Sequence, residues 1–306
     1  MALTEPTVEE IIHHDSAPKG RSLWSDARRR FFRNRAATVS LVVLILIAIF
    51  AFFGEFATRY DRETVDFTLM GVNSVKGVPS FETGHYFGTD LDGRDLYART
   101  VQGTRLSLLI GIVGSLVAVV VGTLYGAIAG YVGGRTDSVM MRIVDILMSI
   151  PFMFVLILML VMFGRSLLML FIGIGLISWL GMARIARGQT LSIKNKEFVE
   201  AAVATGVRPL TIVLRHIVPN LLGVVIVYAT LLIPEMIIYE SFISFLGLGV
   251  QEPNTSLGAL ISRGASQIGR DVPWQLGFPL FFFVVLLFAF YFVGDGLRDA
   301  IDPKDR

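Results

Sequence analysis

The chain has no cysteine, which excludes disulfides, thiolate metal sites and a cysteine nucleophile. Charge is scarce as well. Asp, Glu, Lys and Arg make up 17% of the 306 residues, against 54% hydrophobic residues and a mean hydropathy of +0.66. Soluble domains carry about 25% charged residues, so this composition argues against a soluble enzyme and for a chain embedded in a lipid bilayer. Histidines number four. His13, His14, His85 and His216 are spread over a tail, an outer loop and an inner loop, so no shared metal site is expected. The patterns HExxH, GxSxG and GxxxxGKS/T do not occur, which leaves no zinc-protease, nucleophile-elbow or phosphate-binding motif. Asp90, Asp92 and Asp95 around Gly93 have the wrong spacing for a calcium loop, and Val101 stands where its closing Glu belongs. A turn followed by a helix cap accounts for them. No catalytic residue and no resident cofactor are expected, and no nucleic-acid-binding pattern is present.

What is there is long apolar runs. Stretches 36–54, 106–134, 146–164, 166–183, 217–234 and 272–294 approach or exceed the roughly 18 residues that mark a transmembrane helix. They predict an all-α, polytopic membrane helix bundle with six transmembrane helices. Only Arg165 separates the third run from the fourth, and a re-entrant segment fits the same pattern. The two runs together are too long for one span, which favours two helices. Of the 27 Lys and Arg, 18 fall in the N-terminal tail (seven), the 135–142 segment (two), 184–215 (six) and the C-terminal tail (three). By the positive-inside rule, both termini and 184–216 face the cytoplasm, and the loop of about fifty residues after the first span faces outside. The polar N-terminal tail is too long for a cleavable signal peptide, so the first span is expected to remain as an anchor. Residues 22–35 place Trp24, Ala27 and Phe31 on one helical face among arginines. That pattern fits a basic amphipathic helix at the anionic inner leaflet and equally a simple topology determinant.

Gly114, Ala118, Gly122, Gly126, Gly130 and Gly134 recur every four residues. Small residues let helix backbones approach closely in lipid, so the second span is expected at the centre of the bundle, with Gly122, Gly126 and Gly130 as packing positions. Asp145, Glu235 and Glu240 lie in or beside apolar runs. Asp145 is three residues after Arg142, an i,i+3 ion-pair spacing. With the fifth span starting near Ile217, Glu235 lies about 27 Å along it, near the outer edge of a core about 30 Å thick, and Glu240 further out. Both fit solvated helix-end residues, and both fit an acidic lining of an outward vestibule that attracts a cationic group such as a peptide amino terminus. Pro151 and Pro234 each remove a backbone donor and favour a kink.

The segment 194–220 is too polar to span and too patterned for a slack linker. Residues 197–205 read as a short helix with Phe198, Ala202 and Val203 toward one face. Gly206 fits the left-handed position that ends a helix, Pro209 fits the start of a second, and Pro219 leads into span five. A helix–glycine–helix hairpin follows. Its spacing alone suits docking in a groove of another protein and intramolecular packing equally.

Glu200, Ala201 and Ala202, then Gly206, then Pro219, resemble the EAA loop of bacterial ABC-importer permeases. The family has Ile where this chain has His216 and Leu where it has Val218, and the wording RHIVPN is similar to the peptide-transporter branch. Other stretches agree: HYFGTDLDGRDLYAR, ESFISFLGLGVQEP and GDGLRDAIDPKDR, with GRSLWSDARRRFFRNRAA similar to C-type oligopeptide permease subunits. The resemblance runs from about Gly20 to Arg306. It implies a coupling helix that docks on ATPase subunits through Glu200, Ala201, Ala202, Gly206 and Pro209. It implies a tail (1–35), a first span (36–54), an extracytoplasmic loop (55–104), a permease core of five spans (105–298) with the coupling loop at about 194–219, and a second tail (299–306). It implies a multi-pass inner-membrane protein with a homologous second permease subunit, two ABC ATPase subunits that bind ATP and Mg, and a periplasmic peptide-binding protein. The substrate implied is an oligopeptide; the acidic-lining reading puts Glu235 and Glu240 on its path, and the topology makes segments 55–102 and 251–273 the expected docking surfaces for the binding protein. A dipeptide or nickel importer fits the same motifs. An ion-coupled secondary transporter fits less well, because ionisable residues inside the spans are few.

Overall fold

The computed structural model describes residues 23–69 and 77–301. His13, His14, residues 20–22 and the last five residues lie outside it, as do the side chains of Leu23 and Trp24. Regular structure among the described residues is helical, with two isolated bridges, Val65 to Arg94 and Thr89 to Asp95, in the loop after the first span. Helix α1 (Leu23–Arg33) turns at Asn34 into α2 (Arg35–Phe53), whose first turn is capped by the Asn34 side chain accepting from the Ala37 amide at 3.2 Å. Then come α3 (Leu96–Val132), α4 (Gly134–Ser149), α5 (Phe152–Phe163), α6 (Leu167–Ile193), α7 (Glu197–Ala204), α8 (Pro209–Phe245), α9 (Leu257–Ala265) and α10 (Trp274–Ile301). The sequence places the start of the second span at 106. Asp95 moves it to Leu96, because its carboxylate accepts the Ala98 amide at 2.7 Å and caps α3.

Packing fixes the direction of each helix. Gly114, Gly122 and Gly130 of α3 meet Ile174, Met182 and Thr190 of α6 in the same order, so α3 and α6 run parallel. Gly111 of α3 meets Ile237 of α8, and Ser107 meets Glu240, so α8 runs the other way. Gly223 meets Ile301 and Gly294 meets Leu231, so α8 and α10 are antiparallel, and Ala37 with Gly296 and Phe50 with Phe282 give the same order for α2 and α10. Two parallel neighbours require one return crossing between them. That crossing is α4 with α5. Asp137 pairs with Arg187, Val144 packs on Leu180 and Ala183, and Leu160 shares a cluster with Leu170, a climb of about 25 Å along α6. The bundle therefore has six crossings.

The third crossing differs from the expected 146–164. It begins at Gly134 and is broken, with α4 and α5 bent by 75°. Pro151 has no amide to donate, and Ile150 before it is held extended at φ −89°, ψ 124°. Gly134 is consequently the first residue of α4 and not a member of the α3 stripe. Asp145 also departs from expectation: it pairs across helices with Arg184 at 2.5 Å, not with Arg142. Pro219 leads into the span from the first turn of the α-helical stretch Val218–Phe245, with no break from the helix before it. The chain is helical from Pro209 to Phe245, and the turn before Pro219 opens to π geometry at Val213–Ile217 to accommodate the missing donor. Pro234 is buried inside the same helix without ending it.

Phe31 of α1 is buried against Ala37, Val293 and Ala300. The basic helix thus seats one apolar face on α2 and α10, while Phe32 on its other side is half exposed.

Candidate functional site

At one end of the bundle stands the hairpin. Helix α7 ends where Gly206 takes φ +77°, with the Val207 amide donating to Ala202 O at 3.1 Å and the Gly206 amide to Val203 O at 3.0 Å, the bonding of a glycine C-cap. Pro209 occupies the first turn of α8. Val199 and Ala202 are buried against Ile212, Val213 and Ile217. Phe198 and Val203, placed with Ala202 on one face by the sequence reading, point outward at 39% and 55% exposure. The i,i+3 pair Val199 and Ala202 is the one that faces α8. Glu200, Ala201, Gly206 and Pro209 are exposed. Hence the hairpin is anchored through two side chains and presents the rest of its surface outward.

Mid-bundle lies a second feature. On α2 the apolar stretch is bounded by Arg35 and Glu55. Gly296 of α10 meets α2 near the Arg35 end, and Phe282 stacks on Phe50 near the other at 4.3 Å. On α8, Leu231 meets Gly294, whereas Glu240 reaches Ser107, near the Arg105 that binds Glu55 at 3.1 Å. Glu235 therefore lies near half depth, not at the outer edge. The sequence-based count starts the span at Ile217, whereas Leu231 is still level with Gly294, near the Arg35 end of the apolar stretch. Glu235 is partly buried and accepts a hydrogen bond from the Tyr239 hydroxyl at 2.6 Å. It lines a cavity of about 250 Å³ with Pro151, Phe152, Ser178, Met236 and Tyr239, where the α4–α5 break opens against α6 and α8.

Glu240 is not a solvated helix-end residue. It is fully buried, taking hydrogen bonds from Ser244 at 2.6 Å, Ser107 at 3.1 Å and Ser241 at 3.3 Å. Ser107 in turn accepts the Leu257 amide at 3.3 Å. The carboxylate joins α3, α8 and the start of α9, and in this conformation it is closed off from any path. Ser241 and Ser244, one and four residues on, were a legible sign of such a cage.

The end opposite the hairpin carries a charged cap that sequence reading missed. Glu252 accepts from Arg94 at 2.6 Å and Arg99 at 2.7 Å and pairs with Arg263. Arg99 is buried and also binds Asp90 at 3.0 Å. Burial pushes the Glu252 carboxyl up, but the guanidiniums of Arg99, Arg263 and Arg94 outweigh it and hold the group below the usual carboxylate range. Burial dominates at Asp90 and Asp95 and holds both above that range, against Arg99 at the first and the Ala98 amide and His85 at the second. His85 Nδ1 lies 2.8 Å from Asp95 and stacks on Tyr60. Gln275 and Trp274 donate to Thr89 O at 2.9 and 3.2 Å. The loop after α2 and the α8–α10 connection are thereby locked into one surface.

Gly122, Gly126 and Gly130 lie at the α3–α6 contact, the most extensive between helices. Backbone crossing this close is what small residues permit in lipid. Fold and sites together define a permease-type bundle: six crossings, a side hairpin at one end, a locked cap at the other and, between them, a largely apolar cavity that holds the Glu235 carboxylate.

The chain belongs to the family of binding-protein-dependent transport system inner membrane components, whose family model matches residues 122–306. The model for the N-terminal TM domain of oligopeptide transport permease C matches residues 22–73. Curated relatives cover nearly the whole chain. The oligopeptide transport system permease protein OppC of Haemophilus influenzae is 55% identical over 94% of this chain and 91% of its own length. OppC of Escherichia coli K12 is 57% identical over 94% and 93%. The dipeptide transport system permease protein DppC of Bacillus subtilis is 40% identical over 93% and 87%. Among solved structures, a chain of the MetNI methionine ABC transporter in an inward-facing form superposes with a TM-score of 0.54 at 21% identity, over 66% of this chain and 95% of that one. The likeness is one of fold. Membership in a binding-protein-dependent transport family sets aside the ion-coupled alternative.

Proposed function

We propose that this chain is one transmembrane half of an ATP-driven importer of oligopeptides, lining the path beside a homologous second permease. The observation that carries this reading is the continuity of α8. One helix of 37 residues, about 55 Å long, starts in the exposed hairpin and carries Glu235 and Tyr239 at the cavity and Glu240 at the outer cage. Movement imposed on the hairpin is passed along a rigid rod to the middle of the membrane. Two ABC ATPase subunits, which bind ATP and Mg, grip the exposed face of α7 around Glu200 and Ala201. Their closure biases the bundle between two packings of similar free energy. In this reading both termini and the hairpin are cytoplasmic. The capped end receives the periplasmic peptide-binding protein, and its exposed Phe56, Phe67, Phe81 and Ile268 supply apolar contact area for docking.

Gly206→Arg tests the coupling. Its left-handed φ strains any β-carbon-bearing residue, and the added charge enters the docking face. The complex is expected to assemble and peptide uptake to be lost; wild-type uptake in a strain lacking the native gene would refute it. The name of the Bacillus DppC relative favours a dipeptide importer as second reading. Competition with peptides of graded length, and with nickel, separates oligopeptide, dipeptide and nickel transport.

A further inference from the structure

We infer that the cavity at the break of the third crossing binds the α-ammonium group of the transported peptide, with the Glu235 carboxylate as its counter-charge. The inference rests on the reading of the chain as a peptide-importing permease. Glu235 stands near half depth, where an ionisable side chain facing lipid is costly, so it must face protein or a watery cavity. It faces the cavity of about 250 Å³, among whose lining residues there is no Lys, Arg or His. Its one hydrogen bond among the described residues comes from Tyr239, and a carboxylate has about four acceptor positions, so capacity remains for an –NH3+ donor. The walls suit a cation as well. Phe152 and Tyr239 lie 4.6 Å apart by ring centroid, and aromatic faces attract ammonium groups. Ser178 Oγ and Met236 Sδ, 3.1 Å apart, line the same space. The requirement is also chemical: side chains vary between peptides, whereas the backbone and the two termini are common to all. A carboxylate at mid-path recognises one terminus without reading sequence.

The absence of cysteine from this chain makes a direct test available. Ser178→Cys places a thiol in the cavity and leaves Glu235 intact. The full complex, with this chain identified by mass, is labelled with cationic aminoethyl and anionic sulfonatoethyl methanethiosulfonate, each rate normalised to that of a free thiol. The cationic reagent is expected to react at least about tenfold faster, the scale on which a charged cleft concentrates counter-ions. Adding Glu235→Gln should bring the normalised ratio close to one, and Glu235→Asp should keep most of it. Trialanine should slow labelling, N-acetyltrialanine should not, and Glu235→Gln should abolish the difference. An unchanged charge ratio in the Gln variant, equal protection by both peptides, or no labelling by either reagent would overturn the site. Labelling does not depend on transport. A complex that behaves as expected here but imports no peptide with ATP present would instead overturn the importer reading.

Discussion

A methyl group at Gly126 would overlap the carbonyl oxygen of Ala183, and one at Gly122 would stand 2.6 Å from the Trp179 oxygen. At these positions the neighbour is backbone, which cannot rotate away. Gly126→Leu is therefore expected to force α3 from α6 at a cost of at least about 1–3 kcal/mol, read as a lowered thermal midpoint of the purified complex and reduced uptake. Gly277→Ala, where nothing lies within 4 Å, should leave the midpoint in place; an equal drop in both would reject the close-packing account. Glu252 carries a pH signature. Its folded pKa is lowered by the three arginines against the effect of burial, so its stabilisation of the cap is complete above the ordinary carboxylate value. It is lost as pH falls through the folded value, below about pH 4.3. Asp90 and Asp95, with raised values, act with the opposite sign: their charged forms oppose folding, and acid relieves them. Glu252→Gln should weaken the cap at neutral pH and remove the acid-induced loosening, measured by limited proteolysis of the outer loop. The same acid midpoint in both proteins would argue against the arginine cluster as its origin.

Elements divide between those that hold and those that transmit. Helices α3 and α6 are pressed together through glycine and form the fixed core. The α4–α5 pair is broken by Pro151 and leaves space. The α7 hairpin is held by Val199 and Ala202, while Phe198 and Val203 face out. Phe198→Ala with Val203→Ser should accordingly keep the chain folded and membrane-inserted yet weaken co-purification of the ATPase subunits several-fold. Val199→Asp should disrupt the hairpin itself, by placing a charge in an apolar site. Retention of the ATPases by the first variant would move the docking face elsewhere. The hairpin was legible as an element because Gly206 and Pro209 are local signals. Its buried face was not, because the choice between Ala202 with Val203 and Ala202 with Val199 depends on where α8 lies.

On the scale of the molecule, six crossings and parallel α3 and α6 place the hairpin and the cap at opposite ends. The proposed topology, argued from the positive-inside count, has the hairpin in the cytoplasm. With no native cysteine to remove, Thr205→Cys should be labelled by a membrane-impermeant thiol reagent only from the cytoplasmic side, and Glu82→Cys only from outside. The reverse pattern would invert the assignment of both partner surfaces.

Span number, the glycine stripe and the hairpin come from hydropathy, four-residue spacing and glycine–proline chemistry, all properties of neighbours along the chain. These the sequence determined by itself. Tertiary structure decided the rest: that Asp145 serves Arg184, that Glu240 is sealed by serines from two helices, that Glu252 gathers three arginines, and that Glu235 opens on a cavity at half depth. Each of these depends on how far one helix is shifted along another. That offset is set by the summed packing of whole helix faces, which no local pattern encodes.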